Sequence, residues 1–258
     1  MKVVLLCGGL GMRLREETEF RPKPMIEVGG RPILWHIMKT FAHHGLNDFV
    51  LCLGYRADVV KRYFLEYETM RNDFTVELGN PASLTFHGGH HERGWRVTLA
   101  DTGATANTGA RIKRIERYID SDPFLLTYGD GVADIDLPAL LKFHRSHGKI
   151  ATVTGVRPPA RFGELITLDG SVREFREKPQ ASQGLISGGF FVLSRAAFRY
   201  LEDDDACVLE REPLERMAKD AELMVYEHPG FWQCLDTPRD LQHLQDLWRE
   251  GAPWKIWA

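Results

Sequence analysis

The chain has 258 residues, of which 43% are apolar and 27% are charged, so its composition is that of a globular protein with a sizeable core. This composition excludes a disordered chain, a collagen and a coiled coil. Thirty-three Lys and Arg against 36 Asp and Glu give a net charge of −3, so no overall basic character indicates a nucleic-acid or membrane partner, and an anionic ligand needs a local site.

Short apolar strands alternate with amphipathic helices along the chain. Val3–Leu6 is a continuous apolar run ended by glycines, which is typical of a strand buried on both faces. Further strands are predicted at 49–53, 95–99, 124–127, 151–156, 165–168 and 190–193, and helices at 33–41, 59–64, 112–119 and 137–147. This order predicts an α/β fold on a largely parallel sheet.

No internal repeat or low-complexity linker divides the chain, which favours one domain over 1–258 with insertions at Asn72–Glu92 and Pro158–Ser187. The four cysteines have no CxxC spacing, which argues against a zinc cluster and a disulfide framework and favours a reducing compartment. No stretch approaches the roughly 18 apolar residues of a membrane-spanning helix. We therefore expect a soluble cytoplasmic protein.

The first predicted strand runs into the glycine-rich segment Cys7–Leu14. Glycines directly after a strand let backbone N–H groups approach a phosphate chain closely, and Arg13 adds a positive charge. A P-loop needs a Lys after Gly11, and a dinucleotide fingerprint beginning at Gly9 would have its third glycine at Leu14, so neither motif fits. By itself, the segment could equally be a tight glycine turn.

Two further segments follow at close spacing. Lys23 lies between two prolines in Arg21–Met25, on stiff backbone that suits a pre-positioned cation, and Gly29–Ile33 comes next. The order GGxGxRL, KPM and GGxPIL resembles the signature of the sugar-1-phosphate nucleotidyltransferases. Stretches along the whole chain resemble the glucose-1-phosphate cytidylyltransferases in particular, namely Pro32–Met38, Tyr128–Asp134, Glu227–Gln233 and Ala252–Lys255.

The resemblance implies a Rossmann-like, mostly parallel sheet flanked by helices, of the GT-A-like nucleotidyltransferase type, with a small additional β-rich sugar-binding region. The nucleotide-binding part would span about 1–157, and the sugar-phosphate-binding part with the C-terminal helices about 158–258. The resemblance also implies a cytoplasmic homo-oligomer, a hexamer in the family, that serves sugar-nucleotide biosynthesis for O-antigens or deoxysugars. The aromatic tail Trp254–Trp257 could serve an interface or pack on its own chain.

The implied reaction joins CTP and an α-hexose 1-phosphate, glucose 1-phosphate in these relatives, to give a CDP-hexose and pyrophosphate. The catalytic residues would be Arg13, Lys23 and Asp130. The implied nucleotide contacts are Leu6, Gly8, Gly9, Gly11, Met12, Arg13, Lys23, Thr105, Thr108, Arg111 and Gly129.

Asp130 follows a predicted buried strand in a glycine-flanked turn, at the place where open α/β sheets bind ligands. A carboxylate there suits Mg²⁺, and in the resembling family this Asp shares the metal with a second one, which matches Asp236. Each also has an ordinary interpretation, Asp130 as a turn residue and Asp236 as the N-cap of a helix that begins near Pro238.

Glu177 and Lys178 match the family's EKP, in which Glu accepts from sugar hydroxyls and Lys neutralises the 1-phosphate. Most relatives have Asn at the position of Ser187, so the identity of the sugar stays open. Met12 stands where a phosphate-donating Thr is usual, which leaves that contact to the backbone and Arg13. The other implied sugar-phosphate contacts are Tyr128, Gly163, Gly188 and Gly189.

Three alternatives stay open. Asp134 and Asp136 have the DxD spacing of a metal motif in nucleotide-sugar glycosyltransferases, although a cap of the following helix is favoured. His87–His91 has the composition of a metal patch, but the family gives it no role and an insertion loop is favoured. A non-catalytic sensor of sugar nucleotides would be expected to have lost one of the charged residues at 23, 130 and 236, and all three are present.

Overall fold

The computed structural model describes residues 1–9, 11–80, 83–157, 164–168, 171–176 and 184–257, without the side chains of residues 12, 15–16, 164–168 and 174–176. The strands are β1 Lys2–Leu6, β2 Glu27–Val28, β3 Arg31–Pro32, β4 Asp48–Leu53, β5 Asp73–Val76, β6 Leu84–His87, β7 Arg96–Asp101, β8 Phe124–Tyr128, β9 Gly131–Ala133, β10 Ala151–Val156, β11 Glu164–Leu168, β12 Ser171–Arg176, β13 Ile186–Leu193, β14 Leu223–His228 and β15 Trp232–Cys234. The α-helices are α1 Arg15–Thr18, α2 Ile33–His43, α3 Ala57–Leu65, α4 Tyr67–Arg71, α5 Thr108–Arg114, α6 Leu137–His147, α7 Glu212–Lys219 and α8 Pro238–Glu250.

Seven of the described strands form one sheet in the order β14-β10-β13-β8-β1-β4-β7. The pairs β8–β1, β1–β4, β4–β7 and β10–β14 are parallel, and β13 runs antiparallel to both of its neighbours. The predicted α/β fold with a largely parallel sheet is therefore confirmed. The division near residue 157 stays a prediction.

Each face of this sheet is covered by helices. In β1, Val3 and Leu5 pack on one face with α2 and residues of α8, while Val4 and Leu6 pack on the other with α5. All five residues of β1 are buried, which is why the strand is continuously apolar instead of alternating. The predicted helix at 112–119 is divided, because α5 ends at Arg114 and a 3₁₀ turn follows at Glu116–Tyr118.

The first predicted insertion contains a two-stranded hairpin, β5–β6. Phe74 lies opposite Phe86 and Val76 opposite Leu84, so these four side chains share one face, and each is about 40% exposed or more. Two strands alone are marginally stable in water. His90 contacts the carboxylates of Glu68 and Glu92. Among the described residues, no three or more His, Cys, Asp or Glu side chains are arranged so that they could hold a metal ion.

The C-terminal tail packs on its own chain. Trp254 is fully buried and its ring stacks on Phe231, while its indole Nε1–H points at Nδ1 of His36 at 3.4 Å. His36 Nε2 lies 2.8 Å from the carbonyl oxygen of Val28, so the neutral ring uses both nitrogens. Throughout the described ranges, no helix has both the length and the hydropathy to cross a membrane.

We expect two buried histidines, His36 and His144, to make the fold sensitive to acid. Burial lowers the pKa of His36 and of His144 to about 4 each, from the usual value near 6.5. A depressed folded-state pKa contributes stability that is complete above pH 6.5 and is lost as the pH falls toward 4. We expect the free energy of unfolding, measured by urea titration, to fall by roughly 3 kcal/mol per histidine between pH 6.5 and pH 4. A free energy that is the same at pH 7 and pH 4.5 would contradict this expectation.

Candidate active site

A cavity of about 240 Å³ opens at the carboxyl ends of β1 and β8, in the central part of the sheet. This is the edge at which parallel α/β sheets bind ligands. Of the residues predicted to contact substrates, those that line it are Leu6, Gly8, Gly9, Gly11, Lys23, Thr108, Arg111, Tyr128, Gly129 and Asp130. Sequence reasoning missed four further lining residues, Cys7, Pro24, Ala106 and Asn107.

Lys23 joins the two predicted metal-binding carboxylates. Its ammonium Nζ lies 2.7 Å from Oδ2 of Asp130 and 2.5 Å from Oδ1 of Asp236. These residues are 107 and 213 positions away from Lys23 in sequence. The tertiary structure therefore brings the predicted cation and both predicted carboxylates to one point.

Local pairing explains why the carboxylates meet. Strand β15 pairs antiparallel with β9, with Cys234 opposite Gly131, and the backbone N–H of Leu235 donates to the carbonyl of Asp130. Asp130 directly precedes β9 and Asp236 follows β15, so both lie at the same end of this small sheet. The predicted alternative, Asp236 as an N-cap, is wrong, because Thr237 caps α8 in a capping box with Asp240.

The ion pairs favour the charged forms of Lys23 and Asp236. Burial by itself lowers the pKa of Lys23, but the charges and hydrogen bonds of Asp130 and Asp236 outweigh it and raise that pKa. Burial by itself raises the pKa of Asp236, but Lys23 and then Arg13 outweigh it and lower that pKa. The Arg13 guanidinium lies 3.5 Å from the second oxygen of Asp236, and its side chain is 75% exposed.

The donor set suits a divalent cation. Mg²⁺ in proteins uses one or two carboxylates and takes its other ligands from substrate phosphates and water. Asp130 and Asp236 converge on one cationic atom beside the cavity and provide two such carboxylates. The residues present therefore fit the predicted metal site.

Arg111 has a structural task in addition to lining the cavity. The residue is 4% exposed, and its guanidinium donates to the carbonyls of Leu53, Gly103 and Gly8 and to the hydroxyl of Thr102. A Cβ atom on Gly8 would lie 2.2 Å from this guanidinium. Glycine at position 8 therefore leaves room for the Arg111 guanidinium at the end of β1. This packing role is separate from a role in phosphate binding.

The predicted nucleotide loop is held by two carboxylates that sequence reasoning missed. Thr105 donates to Asp205 at 2.5 Å, and Thr108 donates to Glu210 at 2.6 Å. Glu210 also accepts from the hydroxyl of Tyr128, so it joins the start of α5 to the end of β8. Thr108 is the first residue of α5 and does not cap it, contrary to the ordinary interpretation of this loop.

Of the two glycines of the predicted sugar strand, Gly189 lies beside Tyr128 and Gly188 lies beside Val156. Gly189 has a φ of +79°, and a Cβ atom there would lie 2.5 Å from the Tyr128 ring, so this position requires glycine. The carbonyl of Gly188 accepts from Nε1 of Trp232 at 2.8 Å. Ser187 accepts from the backbone N–H of Gly189 at 3.3 Å. The predicted contacts Gly163, Glu177 and Lys178, and the side chain of Met12, lie outside the described residues.

The DxD segment has structural partners. Asp136 caps α6 by accepting from the backbone N–H of Ala139 at 2.9 Å, as the favoured interpretation predicts. Oδ1 of Asp134 lies 3.0 Å from Nε2 of His228. The glycosyltransferase alternative therefore loses the carboxylate of Asp136, on which its metal motif depends.

The chain is similar to known proteins over nearly its whole length. The family model described as nucleotidyl transferase matches residues 2–248. A glucose-1-phosphate cytidylyltransferase of Salmonella typhimurium is 50% identical, and a probable one of Bacillus subtilis is 43% identical, each over the full length of both chains.

Solved structures show the same fold. HddC from Yersinia pseudotuberculosis has a TM-score of 0.68 at 22% identity, over 96% of this chain and 99% of its own. A putative glucose-1-phosphate thymidylyltransferase from Bacillus anthracis also has a TM-score of 0.68, at 20% identity over 97% and 96% of the two chains. The family predicted from the glycine and lysine motifs is thus confirmed, and the chain belongs to the nucleotidyl transferase family.

Proposed function

We propose that this chain transfers the cytidylyl group of CTP to α-D-glucose 1-phosphate and releases CDP-glucose and pyrophosphate. The observation that carries the proposal is the convergence of Lys23, Asp130 and Asp236 beside a cavity lined by the glycine turn. Full-length similarity to glucose-1-phosphate cytidylyltransferases supports the choice of substrates.

The reaction needs no general base from the protein. An oxygen of the sugar 1-phosphate attacks the α-phosphorus in line, and its second pKa of about 6 leaves it ionised at neutral pH. One P–O bond forms, and the bond to pyrophosphate breaks with its electron pair on the leaving group. The protein must align two polyanions and neutralise their charge.

This chain's own residues provide those two effects in the proposal. Lys23, raised in pKa and so fully charged, meets negative charge that develops at the α-phosphate, and Arg13 meets charge on the phosphate chain. Lys178 and Glu177 hold the sugar phosphate. Asp130 and Asp236 would hold Mg²⁺, which when bound would neutralise charge on the phosphates.

Loop geometry suggests how the nucleotide is contacted. Because Thr105 and Thr108 donate their hydroxyls to Asp205 and Glu210, we assign the nucleotide contacts of this loop to its backbone and to Ala106 and Asn107. Arg111 then acts by fixing the loop and the glycine turn together. We keep Leu6, Gly9, Gly11 and Gly129, which line the cavity, as nucleotide contacts.

A second candidate uses another nucleotide or another hexose 1-phosphate. Ser187 is shorter than the usual Asn and lacks its amide donor, so we expect looser discrimination among sugars, within about 1–3 kcal/mol. We expect Met12 to contact phosphates and not the base, and therefore to affect the affinity for the nucleotide and not the preference for CTP.

The test is pyrophosphate release in a matrix of CTP, UTP, dTTP, ATP and GTP against glucose, galactose, mannose and glucosamine 1-phosphates. We expect CTP with glucose 1-phosphate to be the best pair. Preference for UTP or dTTP would overturn the assignment of CTP as the nucleotide substrate. Strict rejection of every sugar 1-phosphate except that of glucose would overturn the looser discrimination expected from Ser187. No release with any pair would favour a glycosyltransferase or a sensor.

We propose that the protein is a cytoplasmic homo-oligomer, a hexamer as the resemblance implies. The four free cysteines are consistent with a reducing compartment. The apolar face of the β5–β6 hairpin supports self-association, since a second copy presents the same apolar face and can cover it.

Changing Phe74 and Phe86 together to Ser is expected to lower the mass of the oligomer in solution, because the change removes the two largest apolar side chains of that face. Light scattering measures the mass, and circular dichroism tests whether the fold is kept. The control is Val172→Ser, an exposed apolar residue of β12. A double variant that keeps the wild-type mass would exclude the hairpin as the interface.

A further inference from the structure

The ammonium of Lys23 stands between the two carboxylates that a shared divalent cation would need. One hydrogen bond to Asp130 and one to Asp236, at 2.7 and 2.5 Å, hold it there. An ammonium and a divalent cation that both touch these two oxygens would lie within a few ångströms of each other. Their like charges repel, so the two cations compete for one pair of carboxylates.

Lys23 also faces the place where the nucleotide is proposed to bind. Its side chain is 14% exposed and forms part of the cavity wall together with Gly8, Gly9 and Gly11. Pro22 and Pro24 restrict the backbone on both sides, so a change of partner must come from rotation of the flexible four-carbon side chain. The ammonium can therefore reach two sets of anions, the carboxylates and the phosphates of a ligand in the cavity.

We propose that Lys23 is an exchangeable cation: it neutralises Asp130 and Asp236, weakens their affinity for a divalent cation, and releases them when nucleotide phosphates draw it into the cavity. The inference rests on the proposed function, since it assumes that these carboxylates hold the metal. It assigns Lys23 a second role, in coupling metal binding to nucleotide binding.

Arg13 does not share this role. Its guanidinium lies 3.5 Å from Asp236, makes no ion pair with Asp130 among the described contacts, and is 75% exposed. An exposed ion pair of this kind is weak and screened by solvent. Removal of Arg13 should therefore change metal affinity much less than removal of Lys23.

Removal of an ordinary binding residue weakens metal binding, whereas this coupling predicts that removal of the Lys23 charge strengthens it. Lys23→Met removes the charge and keeps most of the length of the side chain, so this variant should bind Mn²⁺ about tenfold more tightly than the wild type, within the usual range of couplings between sites. Lys23→Arg keeps a cation and should bind Mn²⁺ about as weakly as the wild type. Binding is measured by electron paramagnetic resonance of free Mn²⁺ on the full chain without nucleotide, so turnover plays no part.

The controls separate the inference from the proposed function. Lys113→Met removes a lysine that pairs with Glu116 at the surface and should leave Mn²⁺ affinity unchanged. Asp236→Asn should abolish tight Mn²⁺ binding, and a variant that binds Mn²⁺ like the wild type would overturn the metal site itself. If Asp236→Asn loses binding but Lys23→Met is no tighter than the wild type, the exchange is overturned and the metal site stands. Lys23→Gln provides a second neutral variant if Lys23→Met does not fold.

Discussion

Replacing Asp236 by Asn is expected to lower kcat by at least about a hundredfold, because an amide beside a cation loses most of the charge stabilisation that a bound metal needs. The fold should melt near the wild-type temperature. Thr237 and Asp240, not the Asp236 side chain, cap α8, and Asp236 is 29% exposed. Pyrophosphate release at saturating Mg²⁺ measures kcat, and differential scanning calorimetry measures the melting temperature.

Asp246→Asn is the matched control for this change. Asp246 lies on the exposed side of α8 and pairs with Arg249 at the surface, where an ion pair contributes little. We expect this variant to turn over like the wild type. Near-normal turnover by Asp236→Asn would show that the carboxylate has no part in the reaction.

Replacing Lys23 by Ala is expected to raise the barrier of the chemical step by about 3 kcal/mol, which is more than a hundredfold in kcat, by analogy with the loss of one preorganised donor. CTP affinity should change less, because the charge that Lys23 meets develops as the bond to pyrophosphate breaks. Steady-state kinetics give kcat, and calorimetric titration gives the affinity for CTP.

Lys113→Ala is the control for a surface lysine in an ion pair and should leave both quantities unchanged. The split between kcat and affinity decides the role of Lys23. If affinity for CTP collapses and kcat does not, Lys23 binds the nucleotide in the ground state and does not act on the transition state.

The local sequence patterns determined most of the elements. Val3–Leu6 is continuously apolar because both faces of β1 are covered, and α6 covers the predicted range 137–147 because Asp136 caps it and Gly148 follows. These signals lie within a few residues of the structure they produce. The motifs around Gly8, Lys23 and Asp130 likewise indicated the family, because they resemble its signature in residue type and order.

Only the tertiary structure decided which residues meet. Lys23 contacts Asp236 across 213 positions because β9 pairs with β15, and these two three-residue strands have no periodicity of their own to predict that pairing. Asp205 and Glu210 were missed for the same reason. They occur in an acidic stretch, which by itself predicts a solvent-exposed surface, and their partners Thr105 and Thr108 lie about a hundred residues away in sequence. Arg111 was predicted as a nucleotide contact from the family resemblance, and the sequence does not show the three carbonyls and the hydroxyl that also surround its guanidinium. Side-chain chemistry is encoded locally, but the partner that satisfies it is set by packing between distant segments.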